Sequence, residues 1–191
     1  AARGERVAVI KTRGRNPEHA VFSPDGRWLY VGAEDEAQVD VIDVAQRRQV
    51  ASVPVGTRPR GIASSPDGMR AYVACELDNA VHAIDVASHK TVARIPAGEF
   101  SNGLAMHPNG RELYVSNGRG ASVSVIDLSA QAVVANVPVG KRPWNMALTP
   151  DGAKLYVANG RSDSVSVIDT AARRVLAELP VGQLPWGVVI R

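Results

Sequence analysis

The stretch YVANGRSDSVSVID at 156–169 decides the fold, because most of it recurs along the chain. Its first four residues are preceded, at a constant spacing of 42 residues, by YVSN at 114–117, YVAC at 72–75 and YVGA at 30–33. All four tyrosines of the chain therefore occupy one recurring position. A repeat of this length is typical of solenoids and propellers.

Three other motifs recur with the same spacing and in the same order. Turn triplets precede the tyrosines, and they are PDG at 24–26, PDG at 66–68, PNG at 108–110 and PDG at 150–152. Alternating motifs follow them, and they are VDVIDV at 39–44, VHAIDV at 81–86, VSVIDL at 123–128 and VSVIDT at 165–170. Each repeat closes with PVG or PAG, at 54–56, 96–98, 138–140 and 180–182. No insertion interrupts the repeat, so its framework is structural.

Each repeat is predicted to form four short strands, which in the last repeat are A at 144–149, B at 154–158, C at 164–169 and D at 174–181. The PDG triplet between A and B reverses the chain, because proline presets φ and glycine adopts a left-handed conformation. Short strands between frequent turns, without helical periodicity, indicate antiparallel β structure. The sequence therefore predicts an all-β protein, a β-propeller built from four-stranded antiparallel blades.

Two of the recurring residue types are predicted to be structural. The tyrosine rings should pack between sheets while their hydroxyl groups find polar partners. The aspartates that end strand C should accept backbone N–H groups of the C–D turn. These aspartates are Asp43, Asp85, Asp127 and Asp169.

The repeat divides the chain, taken as one array over 1–191, into four complete blades at 17–58, 59–100, 101–142 and 143–184. We expect 1–16 to supply a lone outer strand D at 7–12, and 185–191 to supply a lone inner strand A. A blade made from these two strands would lack B and C. We therefore expect part of a larger propeller, for example a seven-bladed one, or several chains that share a ring. Open blade edges would favour self-association.

The motifs SPDG, LYVAN, VSVID and VPVG together resemble the YVTN family of β-propeller repeats over residues 17–191. The tail, from RPWNMALTPDG at 142–152 to LPWGVVIR at 184–191, is similar to propellers associated with PQQ-dependent catabolism and encoded beside quinoprotein alcohol dehydrogenases. This resemblance implies a periplasmic or extracellular protein, although the first residues show no signal peptide. It supplies no catalytic residues. Nitrite reductase haem d1 domains and lactonase propellers share the architecture, but we find no match to their ligands or catalytic sites.

In propellers, the loops that lead into strand A and the B–C loops share one face, which we call the rim. The five leading loops read NPEH at 16–19, RPRG at 58–61, FSNG at 100–103, RPWN at 142–145 and LPWG at 184–187. Variable loops on a constant scaffold usually carry binding specificity. The candidate binding residues are Glu18, His19, Arg58, Arg60, Asn102, Arg142, Trp144, Asn145 and Trp186. The two tryptophans could instead plug the channel or pack between blades.

The B–C loops also differ in charge. The first carries Glu34, Asp35 and Glu36, whereas the third carries Arg119 and the fourth carries Arg161 and Asp163. One side of the rim is therefore expected to be acidic and the other basic, which suits electrostatic complementarity with a protein partner.

Sequence signatures of catalysis and of metal binding are absent. The four histidines do not share a metal-ligand spacing, and no GxSxG, Walker A or paired-carboxylate motif is present. The single cysteine, Cys75, cannot form an internal disulfide and is expected to be a half-buried structural residue. No cofactor, metal site or membrane span is therefore expected.

Three functions remain open from the sequence. The first is a non-enzymatic exported scaffold that docks a protein partner on the rim, with a quinoprotein dehydrogenase or its cytochrome implied by the resemblance. The second is a propeller enzyme or cofactor-binding protein with its site in the central channel. The third is weak binding of polyanions, including DNA, through Arg58, Arg60, Lys141 and Arg142, although no Lys/Arg block favours nucleic acid.

Overall fold

The computed structural model of the protein describes residues 5–190. Over this range the chain forms sixteen β-strands in four separate four-stranded antiparallel sheets, and no helix occurs among these residues. Each sheet contains four consecutive strands in the order A-B-C-D. The first strands of successive sheets contact each other, as do the outer strands. The predicted fold class is confirmed, and the described chain is a partial β-propeller of four blades.

The strands have nearly the same length in every blade. Blade 1 contains β1 (Pro17–Phe22), β2 (Trp28–Ala33), β3 (Gln38–Asp43) and β4 (Arg48–Pro54). Blade 2 contains β5 (Pro59–Ser64), β6 (Arg70–Cys75), β7 (Ala80–Asp85) and β8 (Lys90–Pro96). Blade 3 contains β9 (Ser101–Met106), β10 (Glu112–Asn117), β11 (Ser122–Asp127) and β12 (Ala132–Pro138). Blade 4 contains β13 (Pro143–Leu148), β14 (Lys154–Asn159), β15 (Ser164–Asp169) and β16 (Arg174–Pro180).

The turns form as the repeat predicts. The glycine of each turn triplet has a positive φ between 69° and 73°, which L-residues with a side chain rarely adopt. The strand C aspartates accept backbone N–H groups of the next turn, for example from Gln46 to Asp43 at 2.8 Å and from Ala172 to Asp169 at 2.8 Å. At Asp85, hydrogen bonds from the Ser88 hydroxyl and backbone lower the carboxyl pKa. The structural role predicted for these aspartates is confirmed.

Apolar side chains between neighbouring blades form the core. One cluster joins Tyr30, Val39 and Val41 of blade 1 to Val73 and Ile84 of blade 2, and similar clusters lie between the later blades. Cys75 belongs to the first cluster and is fully buried rather than half-buried, and burial raises its pKa to about 12. The thiol therefore stays protonated and packs as a small apolar group.

The tyrosine prediction holds for the rings but not for every hydroxyl group. Tyr30, Tyr72 and Tyr114 are buried. The Tyr114 hydroxyl donates to Glu112 Oε2 at 3.2 Å, whereas among the described residues the buried Tyr30 hydroxyl has no hydrogen-bond partner. Packing of the ring therefore accounts for the repeated tyrosine better than its hydroxyl does.

Neither 7–12 nor 185–190 is a hydrogen-bonded strand in the structure, so the lone strands expected at the two ends stay a prediction; Arg191 lies outside the described residues. A strand needs a hydrogen-bonded neighbour, and these segments lack the middle strands of a blade. The N-terminal segment still covers blade 1, where Val7 and Ile10 lie beside Phe22 and Leu29. It is fixed by Gly14, whose N–H donates to the buried Asp40 carboxylate at 2.8 Å.

Replacement of Ile84 tests the packing between blades 1 and 2. Ile84→Ala should lower the free energy of unfolding by about 3 kcal/mol, because the fully buried side chain leaves a cavity between two sheets. The matched control Val92→Ala removes a side chain that is 52% exposed and should change stability by less than about 0.5 kcal/mol. Chemical denaturation measures both, and equal effects would contradict the proposed core.

Candidate functional site at the rim

The same backbone hydrogen bond holds each leading loop against the B–C loop of its own blade. The carbonyl of Arg58 accepts the N–H of Glu76 at 2.9 Å, and the carbonyl of Arg142 accepts the N–H of Gly160 at 3.0 Å. Arg58 and Arg142 themselves adopt positive φ values of 62° and 53°. The leading loop and the B–C loop therefore lie together in each blade, and backbone hydrogen bonds hold them there without help from side chains.

Each inner strand begins with a bulge, and six of the nine candidate residues lie in these bulges, whereas Arg58, Arg142 and Trp186 lie outside them. In blade 4 the register passes from Pro143 paired with Asn159 to Met146 paired with Val157, so Trp144 and Asn145 leave the regular ladder. The same irregularity frees residues 18–19 of blade 1 and 60–61 of blade 2. Bulges redirect side chains and are common beside functional sites. Here they place variable residues at equivalent points of successive blades.

A fully buried carboxylate, that of Glu76, lies at the centre of the rim. Its Oε2 atom accepts from Arg60 Nε at 2.9 Å and lies 3.3 Å from Arg58 Nε. Its Oε1 atom accepts from Arg142 Nη2 at 2.9 Å. Arg142 lies in the loop that leads into blade 4, so one carboxylate of blade 2 binds arginines from the leading loops of blades 2 and 4. We call Glu76 and these three arginines the Glu76 hub.

The acidic residues of blade 1 extend this network. Glu34 Oε1 lies 2.6 Å from Arg58 Nε and 3.0 Å from Arg60 Nη2, and Glu18 pairs with Arg60 Nη1. Every nitrogen of the Arg60 guanidinium is therefore engaged by a carboxylate. His19 lies half-buried next to this group, and burial lowers its pKa, an effect that Arg60 reinforces and Glu18 opposes.

The aromatic candidates lie on the opposite side of the rim. The rings of Trp144 and Trp186 are 4.6 Å apart, and the Trp144 ring also covers Gly160, where a Cβ atom would lie 2.4 Å from it. Trp186 is 53% exposed. The backbone of this segment is held by Asn145, whose N–H donates to the Trp186 carbonyl at 3.2 Å. Trp144 thus packs on the scaffold, while Trp186 presents apolar surface to solvent.

Asn102 is buried beside the inner strands rather than displayed on the rim. Next to it, Gly103 lies so close to blade 4 that a Cβ atom would be 2.4 Å from the Trp144 carbonyl oxygen. The Ser116 hydroxyl donates to that carbonyl at 2.6 Å and accepts from the Gly103 N–H at 2.8 Å. This part of blade 3 therefore fixes the angle between blades 3 and 4.

A basic cleft of about 470 Å³ lies between the rim loops of blades 3 and 4. Its lining consists of Phe100, Gly118, Arg119, Ala121, Lys141, Arg142 and Arg161. Arg142 is paired with Glu76, but Arg119, Lys141 and Arg161 take part in no ion pair within residues 5–190. The Arg119 guanidinium instead lies over the Phe100 ring at 3.9 Å.

The two sides of the rim therefore differ in how many of their charged side chains form ion pairs, which the sequence alone did not indicate. The side expected to be acidic is largely neutralised, because Arg15, Arg58 and Arg60 bind the carboxylates of Glu36, Glu34 and Glu18. Asp35 takes part in no ion pair among the described residues. The side expected to be basic keeps free cations. Of the four residues considered for polyanion binding, Arg58, Arg60 and Arg142 are paired with acids, which leaves Lys141.

Sequence reasoning missed Glu76, although the repeat contained a signal. The position after each YV motif holds Glu34, Glu76, Gly118 and Gly160 in successive blades. A buried carboxylate needs cationic partners, and the leading loops supply arginine at 58, 60 and 142. A comparison of equivalent positions across the repeats would have suggested that Glu76 forms ion pairs with these arginines.

Within the described range, no group of three or more His, Cys, Asp or Glu side chains could hold a metal ion. None of the described residues forms a helix that is long and apolar enough to cross a membrane.

Comparison with protein families places this geometry in a known group. A family model described as "Lactonase, 7-bladed beta-propeller" matches residues 44–179, which is more than half of the chain. The chain belongs to this lactonase propeller family. None of the curated proteins matches it.

Solved structures share the fold of this lactonase-family chain. Hydrazine synthase of Kuenenia stuttgartiensis is similar with a TM-score of 0.83 and 25% identity, over 92% of this chain and 52% of that one. A functionally unknown protein of Desulfotomaculum acetoxidans has a TM-score of 0.83 at 20% identity, over 95% of this chain and 61% of its own. A candidate 6-phosphogluconolactonase of Bacteroides uniformis has a TM-score of 0.75 at 22% identity, over 87% and 55%. The chain thus spans little more than half the length of these structures.

Replacement of the buried carboxylate tests the Glu76 hub. Glu76→Gln should lower the free energy of unfolding by about 3 kcal/mol, because it leaves the charges of three arginines crowded around a neutral amide. As a control, Glu112→Gln breaks the more exposed pair with Arg173 and should cost no more than about 1 kcal/mol. If the denaturation curves of the two variants coincided, Glu76 would not have this structural role.

Proposed function

We propose that this propeller is a non-enzymatic binding scaffold that docks a protein partner on its rim. The observation that carries the proposal is the exposed Trp186, whose ring is tilted against Trp144. The Trp144 ring covers Gly160, which precedes Arg161 of the basic cleft. Large aromatic residues beside arginines are the side chains most often found at the energetic centre of interfaces.

The charge network of the rim supports binding more than chemistry. Glu76 and Arg60 are saturated by one another and by neighbouring ions, so neither is free to transfer a proton or to stabilise a developing charge. Such a network instead holds the rim in one conformation. A rigid surface loses little conformational entropy when a partner binds.

The class of partner and the location of the protein are part of this proposal. The resemblance of the repeats to the PQQ-associated propellers favours a quinoprotein dehydrogenase or its cytochrome as the partner. It also favours a periplasmic or extracellular location. The free cations Arg119, Lys141 and Arg161 suit a partner whose contact surface is acidic.

Replacement of Trp186 tests the docking surface. A quinoprotein alcohol dehydrogenase and its cytochrome, purified from the same organism, are offered to the immobilised propeller in an interferometry experiment. Trp186→Ser should weaken binding and raise the dissociation constant for the partner about thirtyfold, as expected for a residue at the centre of an interface. Leu176→Ser, which removes an exposed apolar side chain from the outer strand of the same blade, should leave it within about twofold.

Two outcomes would contradict the docking proposal. One is that neither purified protein binds. The other is that Trp186→Ser and Leu176→Ser bind the partner equally well.

A second candidate function is lactone hydrolysis, which the family match and His19 favour. Because burial lowers the pKa of His19, its imidazole is neutral at neutral pH and can accept a proton from water. Such a water could attack the carbonyl carbon of a lactone at the rim and open the ring to a hydroxy acid.

The dependence of hydrolysis on pH tests this second candidate. In a pH-stat assay of simple lactones between about pH 5 and 8, the rate should rise as pH rises through the His19 pKa, below its ordinary value of 6.5. His19→Asn should lower kcat/KM about a hundredfold. His89→Asn, in a C–D turn away from the rim, is the control and should not change it. Absence of hydrolysis, or equal rates in both variants, would exclude His19 as the base.

A further inference from the structure

The basic cleft between blades 3 and 4 differs from the equivalent positions of the other blades. The second residue after each four-residue YV motif is Asp35, Leu77, Arg119 and Arg161 in blades 1 to 4. The residue before it is glutamate in blades 1 and 2 and glycine in blades 3 and 4. The same scaffold position is thus acidic in blade 1, neutral in blade 2 and basic in blades 3 and 4, where the preceding glutamate is replaced by glycine.

Gly118 leaves room for the Arg142 guanidinium at the cleft. A Cβ atom at Gly118 would lie 3.2 Å from Arg142 Nη1, so a larger residue would crowd that guanidinium. Arg142 donates to Glu76 through Nη2, whereas its Nη1 atom lies on the cleft side, next to Gly118. Charges that are not compensated by the protein favour the binding of an anion.

The backbone of the cleft is held rigidly without help from these side chains. The Arg161 N–H donates to the Lys141 carbonyl at 3.0 Å, and the Lys141 N–H donates to Ser162 Oγ at 2.8 Å. Across the cleft, the Gly118 N–H donates to the Phe100 carbonyl at 2.8 Å. The cations therefore project from fixed points, which limits the entropy lost on binding.

The size and lining of the cleft indicate the class of ligand. A volume of about 470 Å³ admits a small molecule but not a folded partner. Guanidinium groups bind carboxylates and phosphates through paired hydrogen bonds, and several of them suit a ligand with more than one negative charge. Phe100 offers an aromatic surface on which Arg119 is already stacked.

We propose that the basic cleft is a binding site for a small dianion, a dicarboxylate or a phosphate, held by Arg119, Lys141, Arg142 and Arg161. The site shares Arg119, Lys141 and Arg161 with the surface proposed for an acidic partner, but Trp186 does not line the cleft, so the anion titration does not test the contact made by Trp186. The two proposals can therefore succeed or fail separately.

Isothermal titration of the whole chain tests the site with malonate and inorganic phosphate as dianionic probes and acetate as the monoanion. At an ionic strength of about 50 mM, where exposed charges are only partly screened, at least one dianion should bind with a stoichiometry near one and more tightly than acetate. The double variant Lys141→Gln/Arg161→Gln should weaken that binding about tenfold or more.

The matched control is Lys90→Gln/Arg174→Gln, which removes one lysine and one arginine from exposed outer-strand positions and so gives the same change of net charge. Its affinity for the probe should stay within about twofold of the unaltered chain. Malonate binding without phosphate binding, or the reverse, identifies the preferred ligand and supports the site. Equal loss in the two double variants would indicate diffuse surface charge and overturn the proposal. Absence of saturable binding by any probe would overturn it as well.

Discussion

A carboxylate removed from water is stable only when cations surround it, and the rim of this propeller is arranged around one such group, Glu76. Because Glu76 is fully buried, Arg58, Arg60 and Arg142 are drawn to it from the leading loops of blades 2 and 4. The arginines of blade 2 in turn bind the acids of blade 1. One buried charge thus links three blades, and it determines which rim charges remain free.

The division between paired and free charges follows from the repeat itself. Each blade places its variable residues at the same bulge and in the same loop. A substitution at one of these positions therefore changes the charge of that part of the rim while the backbone keeps its conformation. Blades 1 and 2 use glutamate after strand B, whereas blades 3 and 4 use glycine. The result is a side whose acids are mostly paired and a basic side whose Arg119, Lys141 and Arg161 take part in no ion pair within residues 5–190.

Most of the fold could be predicted from the sequence, because the motifs that specify its strands and turns are short and recur in every blade. Strand C of blade 4 was predicted with its observed bounds at 164–169, and the turn aspartates were assigned their observed role. The two terminal segments are not paired as strands in the structure, because a hydrogen-bonded strand depends on a neighbour that they do not contact. The contacts of the rim could not be predicted in the same way. The pairing of Arg142 with Glu76 joins residues 66 positions apart, and it depends on the curvature of the whole arc.

A double-mutant cycle between Glu76 and Arg142 tests the central claim that one buried charge joins blade 2 to blade 4. The unfolding free energies of Glu76→Gln, Arg142→Gln and the double variant isolate the interaction between these two side chains. The hub predicts a coupling energy of about 2 kcal/mol, because the pair is largely removed from water. A coupling below about 0.5 kcal/mol would show that the two residues act independently, and the hub would not organise the rim.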